Sequence, residues 1–120
     1  GQVAEGLAFF YNKNKFQLLQ SERVIFAEII DKDPIFVDIW SKIEPNKKLA
    51  ERFKDRTTVL QLNVVSSREG NEILVVANTH LYFHPDADHI RLLQGCVAVR
   101  YLEHFTGQLR QQVSIFSQYS

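Results

Sequence analysis

A single cysteine, Cys96, in 120 residues excludes a disulfide framework and a cysteine-built zinc site. The lone thiol reads as a buried, inert side chain that packs like a small hydrophobe. Net charge is lacking as well. Fourteen basic and 14 acidic residues cancel, which argues against a dedicated polybasic nucleic-acid binder and against a charged disordered tail, while leaving room for a local basic groove. No apolar run approaches the roughly 20 residues that cross a bilayer, so no membrane partner is expected, and the opening residues do not read as a signal peptide or presequence. Internal repeats, low-complexity tracts and linkers are also missing. The first residue is Gly1 rather than Met, so the true N-terminus is expected upstream. What is present is 45% hydrophobic, enough apolar material for the core of one domain at most.

Local patterns give a coarse order of elements. Gly6–Tyr11 (GLAFFY) reads as a short buried strand. Asn12–Lys15 reads as a turn and Phe16–Leu19 as the second arm of a hairpin. Asp33-Pro34 predicts a helix start, because an aspartate caps free amides and proline suits the first helical position. Ile35, Phe36, Ile39, Trp40 and Ile43 then recur at helical spacing as a core stripe. Pro45 ends that helix, and Asn46 caps a second one whose Leu49 and Phe53 face inward. Thr57–Val65, with Leu60, Leu62 and Val64 alternating, predicts a strand paired antiparallel with Glu72–Asn78 across the Ser66–Gly70 turn. The unbroken apolar run Ile73–Ala77 predicts a central strand covered on both faces. A helix is expected from about Asp88 to Phe105, with Ile90, Leu93, Val97, Tyr101 and Phe105 inside and Thr106-Gly107 ending it. Val113, Ile115 and Phe116 in the tail fit either more helix or another strand. The sum is a mixed α/β (α+β) layer architecture.

The stretch Val75–Gln94 carries the chemistry-bearing residues. His80, His84 and His89 lie near Asp86 and Asp88, but their spacing matches no standard zinc pattern and no cysteine is close. His80 differs from the others because it follows the end of a strand, where backbone geometry is fixed; there a histidine can donate to an anionic oxygen. A satisfied structural histidine fits the same position. Arg91 and Gln94, one turn apart on the next helix, face the same region or, for Arg91, solvent.

The run Asn78-Thr79-His80-Leu81 with Arg91-x-x-Gln94, the Glu5–Tyr11 segment with Lys15–Leu18, Val59-Leu60-Gln61, and the Tyr82-Phe83-His84-Pro85 continuation resemble the endonuclease/exonuclease/phosphatase superfamily. The nearest branch is that of the 2′-phosphodiesterases, which act on 2′,5′-oligoadenylate and poly(A), with the Angel proteins and deadenylases as near relatives. The resemblance runs from Glu5 to about His104. It implies part of a two-sheet β-sandwich flanked by helices, incomplete in this chain, residues 1–120 being the central portion of one such domain. It implies a parent enzyme that hydrolyses phosphodiesters with Mg²⁺, the metal and the hydrogen-bond donors neutralising phosphate charge while water is activated.

In the family a glutamate on an early strand holds the metal, a Gly-Asp-Phe-Asn motif sits near the attacked phosphate and a late Ser-Asp-His supplies another histidine. None of the three is present here: Glu5 does not match the metal glutamate, and Asp88-His89 stands in a different context. His80 alone carries over as a catalytic residue, contacting phosphate. Asn78, Arg91 and Gln94 carry over as substrate-binding or supporting residues, and no metal ligand is expected within the chain. The implied parent is a 3′-exoribonuclease with an RNA or oligoadenylate substrate, intracellular and, by resemblance only, mitochondrial. The isolated chain is expected to be inactive. The alternatives are a non-catalytic half-domain acting as a binding or regulatory module, and another superfamily member such as a sphingomyelinase or a DNA-repair nuclease.

Overall fold

The computed structural model describes residues 6–70, 72–82, 84 and 88–119, with the side chains of 114–119 left aside. Glu5, Phe83, Pro85 and Asp86 of the sequence motifs lie outside the described residues. Three antiparallel strands form one sheet in the order β1-β2-β3: β1 is Phe16–Ile25, β2 Val59–Ser67 and β3 Ile73–Thr79. Among the described residues, four α-helices accompany them: α1 Phe26–Ile29, α2 Val37–Ile43, α3 Lys47–Lys54 and α4 Asp88–Tyr119. The mixed α and β architecture expected from the sequence is present.

The helix starts follow the capping chemistry. Asp33 Oδ1 accepts from Ile35 N (3.1 Å) at the head of a 3₁₀ turn, Pro34–Phe36, that leads into α2. Asn46 Oδ1 accepts from Leu49 N (3.2 Å) and caps α3. Each side chain satisfies one of the amides that a helix N-terminus leaves without a partner.

The sheet has two unlike faces because neighbouring side chains along a strand point to opposite sides. Leu60, Leu62 and Val64 on β2 face the helices and join Phe26, Ile30, Phe36, Phe53, Val97 and Phe105 in the core. Register puts Val24, Val75 and Ala77 on this same face. The opposite face bears the row Arg23–Gln61–Asn78 and, one step along, Ser21–Asn63–Val76. Ser21 Oγ donates to Asn63 Oδ1 (2.7 Å), which satisfies a buried amide oxygen.

Several expectations are corrected. Gly6–Tyr11 forms no strand, and Phe10 is 90% exposed. Asn12–Lys15 does turn, with Phe16 N donating to Asn12 O (2.9 Å), but it leads into β1, whose partner is β2. The Ile73–Ala77 run is not a central strand: β3 is an edge of this sheet, and Ile73, Leu74 and Val76 are 40%, 43% and 37% exposed. The central strand is β2, on which Leu62–Val65 are all buried. Thr106-Gly107 does not end α4, which runs on through Gly107 to Tyr119. Gly107 has ordinary negative φ, so it makes no left-handed cap, and Leu109 beyond it still packs on the core. Its 32 residues span about 48 Å. Cys96 is exposed, not buried. The helical period explains this: Leu93 and Val97 take the inward positions around it.

Candidate nucleic-acid cleft

The ends of β2 and β3 and the start of the loop after β3 enclose a cleft of about 570 Å³. One wall is the approach to β2, from Asp55 to Val59; the other is His80, Leu81 and Tyr82; Gly6, Leu7 and Arg23 complete it. The geometry grows from the hairpin. Thr79 pairs with Leu60 in the ladder, and Thr79 Oγ1 donates to Val59 O (2.7 Å). The chain therefore leaves β3 at a fixed point, and His80 is the first residue beyond it, exposed on the cleft wall.

Asn78 acts one residue before the end. Its Nδ2 donates to Ala8 O (3.1 Å) and ties the Gly6–Tyr11 segment to β3. Its Oδ1 is buried without a donor, as is Gln61 Oε1 directly across on β2. Asn78 thus ties the end of β3 to the segment before β1 and does not line the cleft.

Gln94 is 1% exposed, which removes it from contact with any substrate. Its Oε1 accepts from Tyr82 N (2.9 Å) and its Nε2 donates to Thr58 Oγ1 (2.8 Å). One side chain on α4 thereby holds both walls of the cleft at a set distance. Arg91 is turned to the loop: its guanidinium donates to His84 O (2.8 Å) and pairs with Asp88. The structure brings His80 to the cleft and places Asn78 and Gln94 behind it; Arg91 is elsewhere.

Sequence reasoning missed Arg56 and Arg23. Arg56 follows Asp55, the C-cap of α3, and its guanidinium carbon lies 3.8 Å from the centre of the Tyr82 ring. Arg23 enters from β1 through the register with Gln61. Neither stands in a motif, and only the folded hairpin brings them to His80. With Asp55 the sole carboxylate among the lining residues, the cleft is net positive, which suits a phosphate. Among the described residues no three of His, Cys, Asp and Glu come together as a metal site. The described residues therefore do not fit a Mg²⁺ centre.

No family model matches the sequence. Curated relatives do. The chain is 38% identical over 106 residues to the 2′,5′-phosphodiesterase 12 of Homo sapiens, covering 88% of this chain and 17% of that protein. The Mus musculus protein of that name is 39% identical over the same length. A probable CCR4-Not complex 3′-5′-exoribonuclease subunit Ccr4 of Enterocytozoon bieneusi is 28% identical over 98 residues, 82% of this chain and 19% of its own. The chain thus spans about one sixth of the length of the 2′,5′-phosphodiesterase 12 relatives it matches.

Proposed function

This chain belongs to the endonuclease/exonuclease/phosphatase superfamily, in the branch of the 2′-phosphodiesterases and Ccr4-type deadenylases, and from that premise we propose that it forms part of a phosphodiesterase acting on RNA or oligoadenylate. The finer reading is a Mg²⁺-dependent 3′-exoribonuclease that cleaves 2′,5′-oligoadenylate or poly(A). Mg²⁺, held by residues other than those described, would supply Lewis-acid stabilisation of the phosphate.

The observation that carries the reading is His80. It leaves a pinned strand end, shares a positive cleft with Arg23 and Arg56, and lies inside the homologous segment. A match of 106 residues leaves at most 14 of the 120 outside and so contains residues 15–106. In this role His80 donates a hydrogen bond to a phosphate oxygen as charge builds on it in the transition state. Gln94 keeps the two walls in register, and Asn78 holds the Gly6–Tyr11 segment to the strand end. Arg91 shapes the loop that follows.

The test uses the full-length protein with 2′–5′ and 3′–5′ oligoadenylates, in Mg²⁺ and in EDTA. Cleavage that requires Mg²⁺ is expected. Losing one such donor costs about 10²–10³ in kcat, so His80→Ala should fall by that factor with KM little changed. A folded His80→Ala enzyme within a few-fold of wild-type kcat overturns the assignment. Absence of phosphodiester cleavage by the wild type overturns the function.

A further inference from the structure

Among the described residues, some cations hold a carboxylate and others do not. Lys54 pairs with Asp31, Arg91 with Asp88 and Arg100 with Asp38. Arg56 has no carboxylate partner among the described residues, although Asp55 precedes it. Its Nε is buried with no acceptor, while the face of its guanidinium is covered by Tyr82 at 3.8 Å. Because that N–H is enclosed, only the terminal nitrogens of the guanidinium can meet a ligand oxygen. A guanidinium stacked through its face keeps only its edge for hydrogen bonds, and that edge matches the oxygens of a phosphate.

We infer that Arg56, stacked on Tyr82, is a binding residue for a backbone phosphodiester of a single-stranded oligonucleotide, next to the one that His80 contacts. The inference deepens the reading of the cleft given above and rests on it. Arg56, His80 and Tyr82 line one cavity, so a strand running past His80 meets the guanidinium edge. The stack is held from behind: Gln94 anchors Tyr82 N and the hydroxyl of Thr58, two residues after Arg56. The cation therefore waits in position rather than being recruited from solvent, which reduces the ordering cost of binding.

The experiment measures binding and turnover separately in the full-length protein. The binding probe is a phosphorothioate-linked oligoadenylate, which keeps the backbone charge and resists cleavage. Arg56→Ala is expected to weaken its binding about ten- to a hundredfold, the range for a hydrogen bond to a charged group, and to lower kcat much less than His80→Ala does. The slope of log Kd against log salt should become shallower by about 0.7, one phosphate contact on a single strand. Arg56→Lys should keep the slope and recover only part of the affinity, since a point charge replaces the planar fork. A folded Arg56→Ala protein with unchanged affinity and slope overturns the inference, as does an equal loss against an uncharged methylphosphonate-linked probe. Should Arg56→Ala fail to fold, Arg56→Lys carries the test, and wild-type affinity in that variant overturns it. Arg56-dependent binding without cleavage by the wild type would sink the proposed activity and leave this inference standing; cleavage by the wild type with probe binding indifferent to Arg56 would do the reverse.

Discussion

Replacing Gln94 by leucine removes two hydrogen bonds from a side chain that is 1% exposed and leaves its volume nearly filled. Tyr82 N loses its acceptor and Thr58 Oγ1 its donor. The Tyr82 amide, half-buried in the loop, then bears most of the penalty of an unpaired donor, about 1–3 kcal/mol. The Thr58 hydroxyl can rotate to another partner and adds about 1 kcal/mol or less. Leucine regains part of this through apolar burial, about 0.8 kcal/mol per buried methylene. The net expectation for Gln94→Leu is about 2 kcal/mol of lost stability. Urea unfolding should show a lower midpoint with an unchanged slope. Native-state hydrogen exchange should show the Tyr82 amide losing protection before amides of β2 do. A second arm uses Gln94→Glu, which keeps the shape but buries a carboxylate. Burial raises its folded pKa above the unfolded value near 4.3, so this variant should be most stable below about pH 4 and lose stability as pH rises through the folded pKa. If Gln94→Leu unfolds within about 0.5 kcal/mol of wild type and the Tyr82 amide stays protected, then the glutamine does not hold the cleft walls together.

Two further outcomes follow from the fold. Gly107→Ala should stabilise the protein by about 1 kcal/mol, read as a raised melting temperature, because residue 107 is helical and an added Cβ meets nothing within 4 Å; a destabilised variant would mean that the helix ends there after all. Tyr101 has its hydroxyl pKa raised, first by burial and then by its 2.9 Å hydrogen bond to Glu22. That contribution is complete below the unfolded tyrosine value near 10 and is lost as pH rises beyond it. Tyr101→Phe should therefore flatten the alkaline limb of the stability profile, and an unaltered limb would refute the coupling.

The elements legible in the sequence are those set by local chemistry. Asp33-Pro34 and Asn46 mark helix starts because a cap is a contact between near neighbours. The Leu60, Leu62, Val64 alternation marks a strand, and the Ile90, Val97, Phe105 stripe a helix, because each period maps directly onto a buried face. What stayed hidden depends on who pairs with whom. Gly6–Tyr11 and Ile73–Ala77 are both apolar runs, yet the first is no strand and the second is an edge; an apolar run says that burial is favoured without saying what supplies it. β1 was legible only at its start, since its long polar stretch, Gln20 to Arg23, sits on an outer strand with little buried surface. Arg56 had no pattern to betray it. Its significance comes from Tyr82, 26 positions away in the sequence and 3.8 Å away in space.

The same distinction changes the physical argument for His80. From sequence, its fixed position rests on a strand buried on both faces, but β3 is not such a strand. The structure replaces burial with tethers. Before His80, Thr79 is held by its ladder pairing with Leu60 and by its hydroxyl on Val59 O, and Asn78 is held to Ala8 O. After it, Tyr82 is held by its amide on Gln94 and by the guanidinium of Arg56 against its ring. A residue between two anchored neighbours has few backbone conformations left, even when its own side chain is exposed. That is the condition under which a hydrogen-bond donor stabilises developing charge without first reorganising. It also couples the two tests: loosening the Gln94 anchor should slow His80-dependent turnover, although Gln94 never meets the substrate.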